Sequence, residues 1–247
     1  MDDVSRLRRR EVETYFGVIA RGGPERRIRA RSVHVLGEFE RPDYERLAAA
    51  LADAEATASV SLLGRDADRV AASMAALADA GHEIVCHGHR HVACADAGYD
   101  LAHENLSRGL AAIEDATGVT PRGYVSPGQD VNGATLRAAA DVGLDYVLGR
   151  TDAEVPDGLA LREPAHPYDL IYLNEGASPA EAFERIRAQT EPGTTHLVHP
   201  NMLEYYDATP AFDAWVGETS PVSVGDLVDG EEGVGLLVDA MRPLRVV

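Results

Sequence analysis

From residue 31 onward, short apolar runs alternate with segments of helical period, and this alternation narrows the fold more than any other feature of the chain. Residues 32–36, 58–64, 84–86, 123–125, 146–148, 170–173 and 195–198 read as strands. Between them, residues 43–55, 66–79, 101–117, 134–142 and 178–189 carry apolar positions at helical spacing, several ending at glycine. Ser178-Pro179 opens one of these helices with a capping residue and a proline at the first position. Strands alternating with helices imply a parallel sheet, and a run of such units without a linker favours a barrel over an open sheet. The expected fold is therefore an α/β distorted (β/α)7-type barrel with parallel strands, spanning residues 31–247. Residues 1–30, with Arg clusters and Gly22-Gly23-Pro24, form an N-terminal extension. The tail from Phe212, which holds Trp215 and ends in an apolar run, packs as a closing strand or C-terminal extension.

In a parallel barrel, functional side chains gather where strands end. One such place stands out. Residues 81–92 read Gly-His-Glu-Ile-Val-Cys-His-Gly-His-Arg-His-Val, so His87, His89 and His91 occupy alternate positions just after an apolar run. Neutral imidazole is a common ligand of zinc and similar metals, and two His this close in sequence can share one ion. Alternate residues of an extended segment face opposite ways, which gives His89 a solvent-facing or supporting role beside His87 and His91. His199 also follows a strand. His82 precedes one and reads as structural, while His103, His166 and His196 show no partner pattern. Asn105 and Arg108 read as solvated helix positions. Cys86 and Cys94 are too few for a disulfide scaffold, and Cys86 reads as a small buried hydrophobe.

Charge restricts partners. The chain carries 41 acidic residues against 23 basic ones, every basic residue is Arg, and the net charge is −18. Such a surface argues against nucleic acid and anionic membranes. An acidic, Lys-free surface suits molar salt, where screening removes self-repulsion, and points to a halophilic archaeal source. No apolar run is long enough to span a membrane, and residues 1–10 lack the apolar core of a secretory signal; the reading is cytoplasmic.

Gly81-His82-Glu83-Ile84 followed by His87 and His91 resembles the second motif of the polysaccharide deacetylases, the NodB-homology family. Residues 117–124 resemble the lead-in to the family's third motif, residues 132–136 and 143–146 the helix and strand after it, and Leu197-Val198-His199-Pro200 the last motif. The likeness covers residues 31–200. It implies a barrel of about seven βα units and a divalent metal, usually zinc, held by one Asp and two His. Carried over, His87 and His91 are metal ligands and His199 is the general acid. The resemblance also implies two adjacent Asp after the first strand, but residues 35–40 read Val-Leu-Gly-Glu-Phe-Glu. Glu38 is the nearest carboxylate and can stand for one of the two, as base or ligand. The Arg of the third motif is replaced by Val125, and no fourth motif is found.

The implied activity is metal-dependent hydrolysis of a carbon–nitrogen bond other than a peptide bond, namely N-deacetylation of an acetylated sugar or another N-acetylated small molecule. The departures leave open a catalytically inactive homologue that binds a carbohydrate or a protein partner. His87-Gly88-His89 also resembles the opening of the amidohydrolase metal site, which follows the first strand; here at least two strand-like runs precede it.

Overall fold

The computed structural model describes residues 6–10 and 43–240. By internal contacts these divide into two compact units, one of residues 6–10, 61–79 and 83–165, the other of residues 43–60, 80–82 and 166–240. The seven strands belong to a sheet ordered β5-β4-β3-β2-β1-β7-β6, in the elements defined below. This is the expected class, α/β with parallel strands of the distorted (β/α)7 type. The expected strand at 32–36, Glu38 and the last residues, 244–247, lie outside the described residues.

The first unit contains the end of β1 (Ser59–Leu62), a 3-10 turn (Gly64–Asp66), α2 (Ala67–Asp79), β2 (Glu83–Cys86), α3 (Tyr99–Thr117), β3 (Gly123–Asp130), α4 (Gly133–Asp141), β4 (Tyr146–Arg150) and β5 (Ala160–Arg162). Strands β2 and β4 are largely apolar runs because parallel strands are covered on both faces. Ile84, Val85 and Cys86 are buried, as are Tyr146, Val147 and Leu148. Cys86 pairs with Tyr124, and Tyr124 and Val125 pair with Val147 and Leu148, all parallel. Helix α4 starts where the Asn132 side chain accepts from the Thr135 amide. Strand β3 runs past the expected 123–125 and includes Ser126-Pro127-Gly128. The register against β4 shifts between Val125 and Asp130, so the turn chemistry appears as a bulge.

The second unit contains α1 (Tyr44–Asp53), the start of β1, α5 (Tyr168–Asn174), α6 (Pro179–Arg187), β6 (Thr195–Val198), α7 (Pro200–Tyr205), α8 (Thr209–Thr219), α9 (Val224–Val228) and β7 (Gly235–Asp239). Strands β6 and β7 run parallel, with Val198 opposite Val238. Helix α6 carries the expected cap: Ser178 accepts from the Glu181 amide, and the Glu181 side chain reaches back to the Ser178 amide. Trp215 lies in α8, fully buried against Phe183, Phe212 and His196.

The expected strand at residues 170–173 is helix α5. A four-residue apolar run does not distinguish a buried strand from a buried helix turn. Pro167 at the N-cap and Asp169 in the first turn supply the start signals. Among the described residues no helix is long and apolar enough to cross a membrane.

Candidate functional site

The first unit shapes the His loop. Strand β2 ends at Cys86, and the next amide, of His87, donates to the Leu62 carbonyl at 2.9 Å. The chain then turns at Gly88, with φ of +87°. A Cβ there would stand 2.4 Å from Asn105 Nδ2, and a Cβ on Gly109 of α3 would stand 2.6 Å from the Gly88 carbonyl carbon and 2.7 Å from the His89 nitrogen. The loop and α3 therefore approach at backbone distance, which only glycine permits. Asn105 fastens the contact. Its side-chain carbonyl accepts from the Arg90 amide at 2.9 Å, its Nδ2 donates to the Arg90 carbonyl at 3.1 Å, and its own carbonyl accepts from the His89 amide at 2.8 Å. Asn105 is 1% exposed, which corrects its reading as a solvated helix position. A buried amide that replaces backbone pairing cannot be distinguished from a surface Asn by helical spacing.

This loop brings His87 and His91 together. Both are buried, with ring centroids 5.0 Å apart and planes inclined by 55°. The His87 ring donates from Nδ1 to the Val125 carbonyl at 2.8 Å. That bond fixes the tautomer in which Nε2 carries the lone pair, the arrangement usual for a metal-ligating imidazole. Two neutral imidazoles suit zinc and its divalent neighbours. The donor set thus fits a metal as far as two ligands. Among the described residues no group of three or more His, Cys, Asp or Glu side chains could hold an ion. Glu38, expected as base or ligand, lies outside them. Cys86 and Cys94 are buried free thiols; Cys86 Sγ accepts from the Gly88 amide at 3.2 Å, and burial pushes the Cys86 thiol up to about 12. Both therefore serve the core.

His89 lies on the other side of the loop. Its basicity falls to about 4, through burial first and then the charges of Arg108, Arg90 and Arg65. It stays neutral at pH 7 and only partly exposed, in a supporting position.

The second unit builds a different centre. His199 follows β6 and precedes α7. Asp169, fully buried on α5, accepts from the His199 backbone amide at 2.7 Å and faces its Nδ1 at 3.2 Å with both oxygens. Asp239, 7% exposed at the end of β7, has Oδ2 3.9 Å from His199 Nε2. Burial alone would lower the basicity of His199. The charge and hydrogen bond of Asp169, with the charge of Asp239, outweigh it and raise the pKa. His199 is therefore biased toward the imidazolium form. Sequence reasoning missed Asp169 and Asp239 because neither belongs to a local pattern: they lie 30 residues before and 40 residues after His199 and meet it only through the fold.

The remaining His residues behave structurally. His196 packs edge-on against Trp215, contacts Thr190 Oγ1 at 3.0 Å, and is lowered to about 4 by burial and by His166. His82 is buried and lowered by that burial. His103 contacts Ser107 Oγ at 3.4 Å and lies beside Tyr99. His166 stacks on Tyr168.

Residues 37–147 match the family model described as polysaccharide deacetylase, which supports the resemblance read from the His loop. No curated protein matches the chain. A Mycobacterium smegmatis structure assigned to the polysaccharide deacetylases is 25% identical with TM-score 0.60, over 71% of this chain and 69% of its own. A Bacillus anthracis protein described as a CE4 family pseudoenzyme is 16% identical with TM-score 0.58, over 78% of this chain and 64% of its own. A family 4 acetyl xylan esterase from Clostridium thermocellum, in complex with a cobalt ion, is 16% identical with TM-score 0.56, over 81% of this chain and 84% of its own. The last two likenesses bear on the fold alone.

Proposed function

We propose that this chain is a metal-dependent hydrolase that cleaves a carbon–nitrogen bond other than a peptide bond, removing the acetyl group of an N-acetylated sugar. The observation that carries this reading is the His87 ring, fixed through Nδ1 on the Val125 carbonyl beside the buried ring of His91. His87 and His91 would hold a divalent ion, with zinc the first choice for two imidazoles. When bound, such an ion polarises an acyl carbonyl and acidifies water. His199 is the proton donor to the leaving nitrogen. Asp169 keeps its Nδ1 engaged and its charge favourable, leaving Nε2 as the working nitrogen. The match of residues 37–147 to the polysaccharide deacetylase model supports the reading. The partner is a carbohydrate or another N-acetylated small molecule; the net charge of −18 opposes nucleic acid and anionic membranes.

Acetate release from acetylated amino-sugar oligomers, with zinc or cobalt supplied, tests the proposal. Turnover is expected, and His199→Ala should reduce kcat by about 10²- to 10⁴-fold. A second reading has its own observation. Val125 stands where the resemblance implies an Arg, and a fold relative is described as a pseudoenzyme. On that reading the chain binds a carbohydrate or protein partner without turnover, and no divalent metal would release acetate.

A further inference from the structure

We infer that a cleft at the carboxyl ends of β3 and β4 binds a sugar unit next to the one that is hydrolysed, so that the substrate is an oligosaccharide rather than a single sugar. This rests on the hydrolase reading above and names the substrate class of that site.

The cleft lies wholly within the first unit. Its volume is about 460 Å³, and its lining runs over residues 130–133 and 150–153. That size suits a small ligand. The two segments follow parallel neighbouring strands, with Asp130 paired to Arg150 beyond the β3 bulge. Functional groups of parallel α/β folds collect at this end of a strand. Strand β3 also joins the cleft to the His loop. The Val125 carbonyl holds His87 Nδ1 at 2.8 Å, and Asp130 ends the same strand. At about 3.3 Å per residue, the separation along the strand is at most about 16 Å. Successive units of one sugar chain cover such a distance.

The cleft begins at a strained residue. Gln129 has φ of +60°, a left-handed conformation that is costly for a residue with a side chain. It is held there from inside: the side chain is buried, and Nε2 donates to the Ala165 carbonyl at 2.8 Å. Immediately beyond it, Asp130 Oδ1 accepts from Arg150 Nε at 2.8 Å. Strain of this kind concentrates at ligand sites.

The chemistry of the lining selects the ligand. Arg150 gives Nε to Asp130 and Nη2 to the Gly128 carbonyl at 3.2 Å, and Nη1 carries neither bond. Asp130 keeps a second oxygen, and Asp152 is exposed, so both offer acceptors. Thr151 Oγ1 accepts from the Ala153 amide at 3.1 Å, which leaves its hydroxyl hydrogen to donate. Val131 and Ala153 add apolar surface. A sugar matches this set, because its hydroxyls both donate and accept while its C–H face is apolar. An anion does not. Two carboxylates stand with one guanidinium that is already paired, in a chain of net charge −18.

Asp130→Ala and Arg150→Ala test this on the zinc-loaded chain. Acetate release is compared between an acetylated amino-sugar monosaccharide and the corresponding tetrasaccharide, and tetrasaccharide binding is measured by titration calorimetry. The unaltered chain should show the higher kcat/KM with the tetrasaccharide. Each substitution should cut the tetrasaccharide-to-monosaccharide ratio of kcat/KM by about tenfold or more, through KM, and weaken tetrasaccharide binding by a similar factor. Both side chains are substantially exposed, so folding should be kept. Asp130→Asn, which keeps the shape and one acceptor, should recover part of the affinity. A ratio within about twofold of the unaltered chain overturns the proposal, as does a loss that is equally large for the monosaccharide. Should the unaltered chain release no acetate with any metal, the hydrolase reading fails by itself, and calorimetry still decides the cleft: a tetrasaccharide that does not bind, or that binds the Arg150→Ala chain equally well, overturns it.

Discussion

The His87–His91 loop and the His199 centre put the same side chain to different uses, and they were unequally legible. In the loop, two imidazoles come from one five-residue stretch, and the packing that seats them is backbone against backbone at Gly88 and Gly109. At His199, a single imidazole is held between Asp169 and Asp239, and the three residues come from separate parts of the chain. The loop keeps its His87 tautomer through a neutral carbonyl, which suits the ligand role proposed for it. The second centre places carboxylates beside its His, which raises its pKa and suits the proton-donor role proposed for it. All three His stand out locally, whereas the carboxylates beside His199 are brought there by the fold.

The largest expected effect separates the two centres. His87→Ala should remove bound zinc and lower kcat by about 10³-fold or more, since a single remaining imidazole holds the ion poorly, while the NMR titration of His199 stays in place. Coupled loss of both signals would break the division of labour. Asp169→Asn should come next. It removes the charge that outweighs the burial of His199, so the His199 pKa should drop, and kcat should fall by about 10²-fold or more. Because it breaks a buried charged pair, it should also destabilise the fold by about 3 kcal/mol in chemical denaturation. An unchanged His199 titration would show that Asp169 is only a packing residue.

Gly109→Ala sharpens the other side. The added methyl meets the Gly88 carbonyl carbon and the His89 nitrogen below 3 Å, so the loop must shift, at a stability loss of about 1–3 kcal/mol. Zinc affinity should weaken with no change at His199. Retention of full affinity would mean that the loop is seated by something other than this close approach.

The smallest effect is in pH. His89 and His196 have folded values near 4, below the ordinary 6.5. Their contribution to stability is present above pH 6.5 and is lost as pH falls from there toward 4. His199 has the opposite sign: its raised value contributes stability below pH 6.5 that is lost as pH rises through its folded value. Melting temperatures of His196→Gln and His199→Gln against pH should therefore diverge from the unaltered chain in opposite directions. Two curves of the same sign would contradict the charges assigned to these sites.

The fold was largely legible because buried strands and Ala-rich helices repeat with a period that sequence displays. Among the described residues the expected strands at 58–64, 84–86, 123–125, 146–148 and 195–198 form, and residues 170–173 show the failure. Four apolar residues fit either state, and Pro167 and Asp169 settled the matter in favour of helix. His87, His91 and His199 stood out because His after a strand is a local signal. Asn105, Asp169 and Asp239 did not, because burial and long-range pairing leave no mark on spacing. Glu38, named from its place after the expected first strand, lies outside the described residues.

Metal analysis of protein loaded with zinc and then desalted tests the central claim most directly. The account predicts about one zinc per chain in the unaltered protein and in His199→Ala, and almost none in His87→Ala and His91→Ala. Zinc absent from the unaltered chain, or retained equally in all four proteins, would contradict it.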